Sequence, residues 1–225
     1  MIFTESMLEE YSKPLSEEED RQCKNAIGSV GNALKSLGFF DAGNGISPLY
    51  SDTYSYSLQM KHNNGRQIKL FVQGSYANNT NVRRNSDVDI AVVQEETFNV
   101  EYRKDPIRPQ TNADYKFVKA DESTTTFKDE VQACLERAFG SSVERKNKSI
   151  KVHGNATRKD ADTVPCRRYR DYRSDYNKDP SNYVAGIVIT PDVGEIIINY
   201  PEQHIKNGRE KNVATYYHYK KWCAL

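Results

Sequence analysis

The sequence predicts an α/β (α+β) fold, a mixed sheet with a long N-terminal helix packed along it as a spine. Three observations predict it. Apolar residues recur at helical spacing over residues 17–37, strand-like runs occupy residues 52–93, and residues 183–200 read as a hairpin.

Ser16 and Glu19 form an S-x-x-E capping box, which marks a helix start. Cys23, Ile27, Val30, Leu34 and Leu37 then line one helical face, and Gly38 can end the helix in a left-handed conformation. Tyr54, Tyr56 and Leu58 alternate with polar residues. Asn63-Asn64-Gly65 marks a turn, and Ile68-Lys69-Leu70-Phe71-Val72 reads as a second strand. Gly74-Ser75 interrupts that pattern, and Asp87 to Val93 is the next strand. Residues 94–125 show little periodicity and read as a surface insertion or loop. Thr126-x-x-Asp129 opens a second helix, with Phe127, Val131, Leu135 and Ala138 on one face and Gly140 closing it. Residues 149–152 and 162–166 read as short strands. The Arg-, Tyr- and Asp-rich stretch after Cys166 reads by default as a solvated loop. Tyr183–Ile189 and Glu195–Tyr200 form the hairpin, joined by Pro191-Asp192-Val193-Gly194, and the last segment reads as helical from about residue 209. Residues 1–200 are expected to form one core with its N-terminal helix, and residues 201–225 the start of a further helical part.

The chain has 225 residues, 37% of them hydrophobic and 28% charged, which is a globular composition. The net charge of +1 gives no strong nucleic-acid-binding signal. The four cysteines are far apart, so neither a C-x-x-C pair nor a zinc-ligand spacing occurs. Cys23 and Cys134 fall on apolar helical stripes and read as buried thiols. No apolar stretch approaches the ~20 residues of a membrane helix, and Met1–Glu10 lacks the pattern of a secretory signal. A cytoplasmic protein without membrane contact is expected.

The chemistry is concentrated in Gly74-Ser75-Tyr76-Ala77-Asn78-Asn79-Thr80 and Ser86-Asp87-Val88-Asp89-Ile90. Residues i and i+2 of a strand share a face, about 6.6 Å apart, so Asp87 and Asp89 project together. Two aligned carboxylates raise each other's pKa unless a cation lies between them. A hard ion such as Mg²⁺ (or Mn²⁺) takes carboxylate and phosphate oxygens, as in two-metal phosphoryl transfer. A glycine after a strand lets the backbone approach a ligand closely, and adjacent N–H groups with a serine hydroxyl can bind phosphate oxygens. Either feature alone is common on solvated turns. Together they supply what nucleotidyl transfer needs: a triphosphate held, metals placed, and a hydroxyl directed at the α-phosphorus.

Gly-Ser, a spacer and Asp-x-Asp resemble the DNA polymerase beta-like nucleotidyltransferase superfamily. The fuller string GSYANNTNVRRNSDVDIAVV is similar to the cGAS/DncV-like nucleotidyltransferases (bacterial CD-NTases) of antiphage defence. Asp162-Thr163-Val164-Pro165-Cys166 resembles that family's third acidic strand, and the stretch from Ile197 to Gly208, with Lys211-Asn212 and Tyr219-Lys220, is similar as well. The resemblance implies a polymerase beta-like core in which Asp87, Asp89 and Asp162 hold the metals, and Asp162 also activates the attacking hydroxyl. Asp160, of the same strand parity, is the fallback for Asp162. Gly74 and Ser75 would bind the triphosphate, with Lys220 and Lys211 on nucleotide phosphates. It further implies nucleoside triphosphates as substrates and a cyclic or short linear oligonucleotide messenger as product. A regulatory or effector protein partner is compatible with it. The family's C-terminal helical lobe is expected to be incomplete here.

The remaining candidates have ordinary readings beside functional ones. Lys206 fits a partner-binding helix as well as a phosphate site. His204 reads as a surface or loop histidine, Tyr183 and Tyr200 as sheet packing more readily than as base-stacking platforms, and Arg167–Arg173 as a loop or a contact surface. Two other functions stay open: a nucleotidyltransferase acting on a small molecule, protein or RNA end, and a nucleotide-binding protein without catalysis.

Overall fold

The computed structural model describes residues 15–51, 53–78, 87–120 and 125–219. The first helix, α1 (Glu17–Leu34), begins where the sequence places it. Ser16 Oγ accepts from the Glu19 N–H, and the Glu19 carboxylate accepts from the Ser16 N–H at 2.9 Å. A 3-10 turn (Lys35–Leu37) continues α1, and Gly38 ends it at φ +89°. Cys23, Ile27, Val30 and Leu34 are buried, whereas Leu37 packs only partly against the core.

The strands are β1 (Phe39–Asp41), β2 (Ser47–Pro48), β3 (Tyr56–His62), β4 (Gln67–Gln73), β5 (Val88–Tyr102), β6 (Val143–Arg145), β7 (Ile150–Val152), β8 (Ala161–Tyr172), β9 (Val184–Ile189) and β10 (Ile197–Asn199). They form one mixed sheet in the order β1-β3-β4-β5-β8-β7-β6, with β2 on β3, β9 on β8 and β10 on β9. The β5–β8 pair is parallel and central; the other pairs are antiparallel. One edge of β8 is shared, with β7 beside residues 161–163 and β9 beside residues 167–171.

Between β4 and β5 lies the one-turn helix α2 (Gly74–Asn78). The helix α3 (Phe127–Phe139) opens with the Thr126–Asp129 capping box, and α4 runs from Pro201 to Ala214. Helices α1 and α3 cover one sheet face, over a core that includes Ile27, Leu34, Leu70, Ile90, Val131 and Leu135. The opposite face carries a smaller cluster of Phe71, Ala91, Val93, Val164, Cys166, Ile187 and Ile189. Strand alternation explains the division, since odd residues of β5 and even residues of β8 point to that second face.

Four readings need correction. Residues 94–102 are not loop: after a bulge at residues 95–97, β5 continues to Tyr102. The stretch after Cys166 is the second half of β8, and Arg168, Tyr169, Asp171 and Tyr172 are buried there. Polar residues hid both strands, because partners from distant segments, Glu95, Glu202 and Tyr200, meet them there. Arg168 is held by Glu95 and Glu202, and Asp171 by Arg173 and Tyr200. The last helix starts at Pro201 rather than near 209, with the proline in the first turn, where its missing N–H costs nothing. Ala138 is exposed, and the buried face of α3 is made by Phe127, Val131, Leu135 and the already expected Cys134.

Cys23 and Cys134 are buried as expected, and burial pushes their thiols up to about 12 and about 11. No helix among the described residues is long and apolar enough to cross a membrane.

Candidate active site

The site begins where β4 ends. Gly74 has φ +71°, a conformation side chains rarely adopt, and a Cβ there would lie 2.3 Å from Asp89 Oδ2. Glycine at this position therefore lets the α2 turn close directly over Asp89. Asn78 Nδ2 donates to the Gly74 carbonyl at 2.9 Å across α2, while Tyr76 and Ala77 anchor that turn in the core.

Register places the carboxylates. Asp89 is the cross-strand partner of Gln73 on β4 and of Asp162 on β8. Asp87, two residues before Asp89, shares its face, and the Val88 N–H donates to the Asp160 carbonyl at 2.8 Å. Three acidic residues on two neighbouring strands are thus brought to one end of the second sheet face, below Gly74. The Asp89 carboxyl is pushed up to about 6, first by burial and then by the charges of Asp162 and Asp87.

Two lysines complete the site. Lys151 Nζ lies 2.7 Å from Asp87 Oδ2 and 2.9 Å from Asp160 Oδ2, and Lys146 Nζ lies 3.3 Å from Asp162 Oδ1. As the side chains lie, no three acidic, histidine or cysteine groups among the described residues are close enough to hold a metal ion. Asp87 and Asp162 instead turn towards these lysines. The donor set nevertheless fits a hard divalent cation: three carboxylates share a face, and one is electrostatically destabilised by the others. The Gln73 amide oxygen, buried and without a protein partner, lies on that face as well.

The structure brings together Gly74, Ser75, Asp87, Asp89 and Asp162. Lys211 is exposed on α4, one turn beyond Gly208, whose added Cβ would lie 3.3 Å from Asn78 Oδ1 of α2. Its ammonium lies 5.5 Å from the centre of the Tyr219 ring. Lys220 lies outside the described residues. Lys206 is exposed and 3.8 Å from Glu210, and His204 is a surface histidine, exposed on α4. Tyr200 donates to Asp171 and packs edge-on against Tyr169, while Tyr183 packs on Tyr172, so both serve the sheet. Asp160 is held by Gly154 and Lys151. The backbone N–H of Gly154 first, and then Lys151, keep its carboxyl below the usual range.

Sequence reasoning missed Gln73, Lys146 and Lys151. Gln73 had a usable signal, since it precedes Gly74 on a strand and pairs with whatever follows the turn. The lysines had none, because only the β7–β8 pairing and the loop before it bring them to the acids.

A Gly-Ser turn closing over Asp89, with Asp162 beside it on the neighbouring strand, is the arrangement the sequence predicts for a nucleotidyltransferase. Residues 56–180 match the model of the "Nucleotidyltransferase domain" family. The chain is 50% identical over 227 residues to "Cyclic GMP-AMP synthase CdnE03" of Staphylococcus schleiferi, covering 100% of this chain and 68% of that protein. It is 33% identical over 229 residues to the "Cyclic dipurine nucleotide synthase" of Elizabethkingia meningoseptica, covering 100% of this chain and 67% of that one. The solved structure of the Elizabethkingia meningoseptica CdnE cyclic dinucleotide synthase with GTP and Apcpp superposes with a TM-score of 0.61 at 33% identity, over 98% of this chain and 63% of that one. The Rhodothermus marinus CdnE c-UMP-AMP synthase, solved with Apcpp and Upnpp, superposes with a TM-score of 0.66 at 26% identity, over 98% and 64%. The chain belongs to the nucleotidyltransferase domain family, in its cGAS/DncV-like branch of cyclic nucleotide synthases. It spans roughly two thirds of the length of these relatives.

Proposed function

We propose that the whole protein joins nucleoside triphosphates into a cyclic or short linear oligonucleotide second messenger, releasing pyrophosphate, as part of bacterial antiphage defence. One observation carries the catalytic part: Gly74 closes over Asp89, whose cross-strand neighbour in β8 is Asp162. The names of the relatives support the reaction class. They include GMP-AMP, dipurine and dipyrimidine synthases, so they support the bond made rather than the bases used.

In this reading, backbone N–H groups at Gly74 and Ser75, with the Ser75 hydroxyl, bind the triphosphate and orient the α-phosphorus. Asp87, Asp89 and Asp162 hold Mg²⁺ or Mn²⁺. When bound, the ion supplies charge neutralisation at the triphosphate and acidifies the attacking hydroxyl. Asp162 accepts that hydroxyl's proton as the oxygen attacks, and Lys211 of α4, together with Lys220, takes phosphate charge. Asp89 must be ionised to serve, so nucleotide and metal binding strengthen as pH rises through about 6.

The test is a product assay. The whole protein is incubated with four labelled ribonucleoside triphosphates and Mg²⁺ or Mn²⁺, treated with phosphatase, and the products are separated. The expected result is a phosphatase-resistant product that disappears with excess chelator and in the Asp87→Asn/Asp89→Asn double variant. Equal turnover in that variant would sink the site assignment.

A further inference from the structure

Lys151 belongs to none of the motifs that mark the family, yet it is in contact with the site. It is the cross-strand partner of Asp162, and its side chain is 15% exposed. Its ammonium bridges two carboxylates with different surroundings. Asp87 immediately precedes β5 and shares its parity with Asp89. Asp160 is fixed by the Gly154 N–H, which donates to its Oδ1 at 2.7 Å and leaves Oδ2 for Lys151. One end of the bridge is therefore tethered to backbone, and the other is a proposed metal ligand.

We propose that Lys151 and Asp160 form a positioning pair for Asp87, in which the Lys151 ammonium competes with the divalent ion for the Asp87 carboxylate and Asp160 retains the ammonium when Asp87 turns to the metal. This rests on the reading of Asp87, Asp89 and Asp162 as the metal-binding set. Three carboxylates gathered at one end of a sheet repel each other, and a cation supplied by the chain offsets that repulsion before a metal arrives. The same cation must not abolish metal binding. A second carboxylate 2.9 Å from it, held by backbone, gives it a place to stay. Asp160 thus has a role distinct from that of a substitute for Asp162.

The pair predicts opposite effects from its two members. Lys151→Met removes the competitor, so metal binding tightens, by about three- to tenfold for a unit charge at this range. Asp160→Asn leaves the ammonium with Asp87 alone, so metal binding weakens by a similar factor. In the Lys151→Met background, Asp160→Asn changes binding by less than about twofold, because its effect acts through the lysine. A pair that only supported the fold would weaken binding in both single variants. Two independent surface charges would give additive effects.

The experiment titrates Mn²⁺ into the whole chain and follows free Mn²⁺ by electron paramagnetic resonance, with a thermal melt in chelator as a second readout. In chelator, Lys151→Met is expected to lower the midpoint by a few degrees, as carboxylate repulsion goes unopposed. Asp160→Asn keeps an oxygen for the Gly154 N–H, so it tests the pair even if Lys151→Met folds poorly. Asp89→Asn serves as control. If that variant binds Mn²⁺ like the unsubstituted chain, the metal-site reading fails and this inference with it. If Asp89→Asn loses binding while Lys151→Met and Asp160→Asn shift in the same direction, or not at all, the positioning pair alone is overturned.

Discussion

At the scale of single residues, function and stability oppose each other at Asp89. Its carboxyl is raised to about 6 by burial and by its acidic neighbours, so ionisation destabilises the folded chain. The proton count gives the sign. Between about pH 4 and 6 the folded state holds a proton at Asp89 that the unfolded chain has released, so this contribution to stability falls as pH rises through that window. Asp89→Asn should therefore stabilise the metal-free chain at pH 7 by about 1–2 kcal/mol, discounted for partial solvent screening, while abolishing metal-dependent turnover. A thermal melt in chelator beside the product assay checks both, and a lower midpoint would contradict the electrostatic account. Gly74→Ala should act the other way on stability. The positive φ and the approach to Asp89 cost about 1–3 kcal/mol, and nucleotide binding goes with them. Ser75→Ala removes the hydroxyl assigned to the triphosphate and should leave the melting point nearly unchanged. It should weaken triphosphate binding about tenfold, the worth of one hydrogen bond to a charged group. Calorimetric titration with a non-hydrolysable triphosphate would measure it.

At the scale of elements, helices α1 and α3 were legible because their capping boxes are local and bring their partners within three residues. Thr126→Ala should cost about 1 kcal/mol, seen as a lower denaturant midpoint with unchanged slope. The second half of β8 was illegible for the opposite reason. Arg168 is 3% exposed, and its guanidinium is matched by Glu95 from the β5 bulge and Glu202 from the first turn of α4, which also pairs with Lys69 of β4. Burial pushes the Glu202 carboxyl up, but Lys69 and Arg168 outweigh it and hold it below the usual range. This network fastens α4 to the sheet, and α4 in turn packs on α2, the turn that carries Ser75. Arg168→Met strands Glu95 and leaves Glu202 to Lys69 alone, and should destabilise by about 3 kcal/mol. Hydrogen exchange should accelerate first in α4, and unchanged protection there would mean the network does not hold it.

At the scale of the whole molecule, a set of paired acids on several elements resists protonation. Arg145 first, and then Lys128, hold Asp192 at about 2, and Lys178 with Thr111 holds Asp114 at about 2. Groups depressed in this way stabilise the chain above about pH 4, and that stability is lost as pH falls from there towards 2. Asp89 runs against this trend, so stability should peak in the mildly acidic range and drop steeply below it, as a melt series across pH would record. The helix caps, the α1–strand–hairpin order, the Gly74-Ser75 turn and the Asp87/Asp89 parity are legible in the sequence, because each depends on neighbours within a few residues. It marked Asp162 through a motif, without showing what stands beside it. Strand pairing alone decided that Asp162 aligns with Asp89, since the register of a parallel pair is set by segments more than seventy residues apart. It also decided that Lys151 reaches Asp87 and Asp160, and that a polar stretch after Cys166 is a buried strand. A charged side chain inside a sheet is stable when opposite charge meets it there, and that partner is chosen by the packing of distant strands rather than by local pattern.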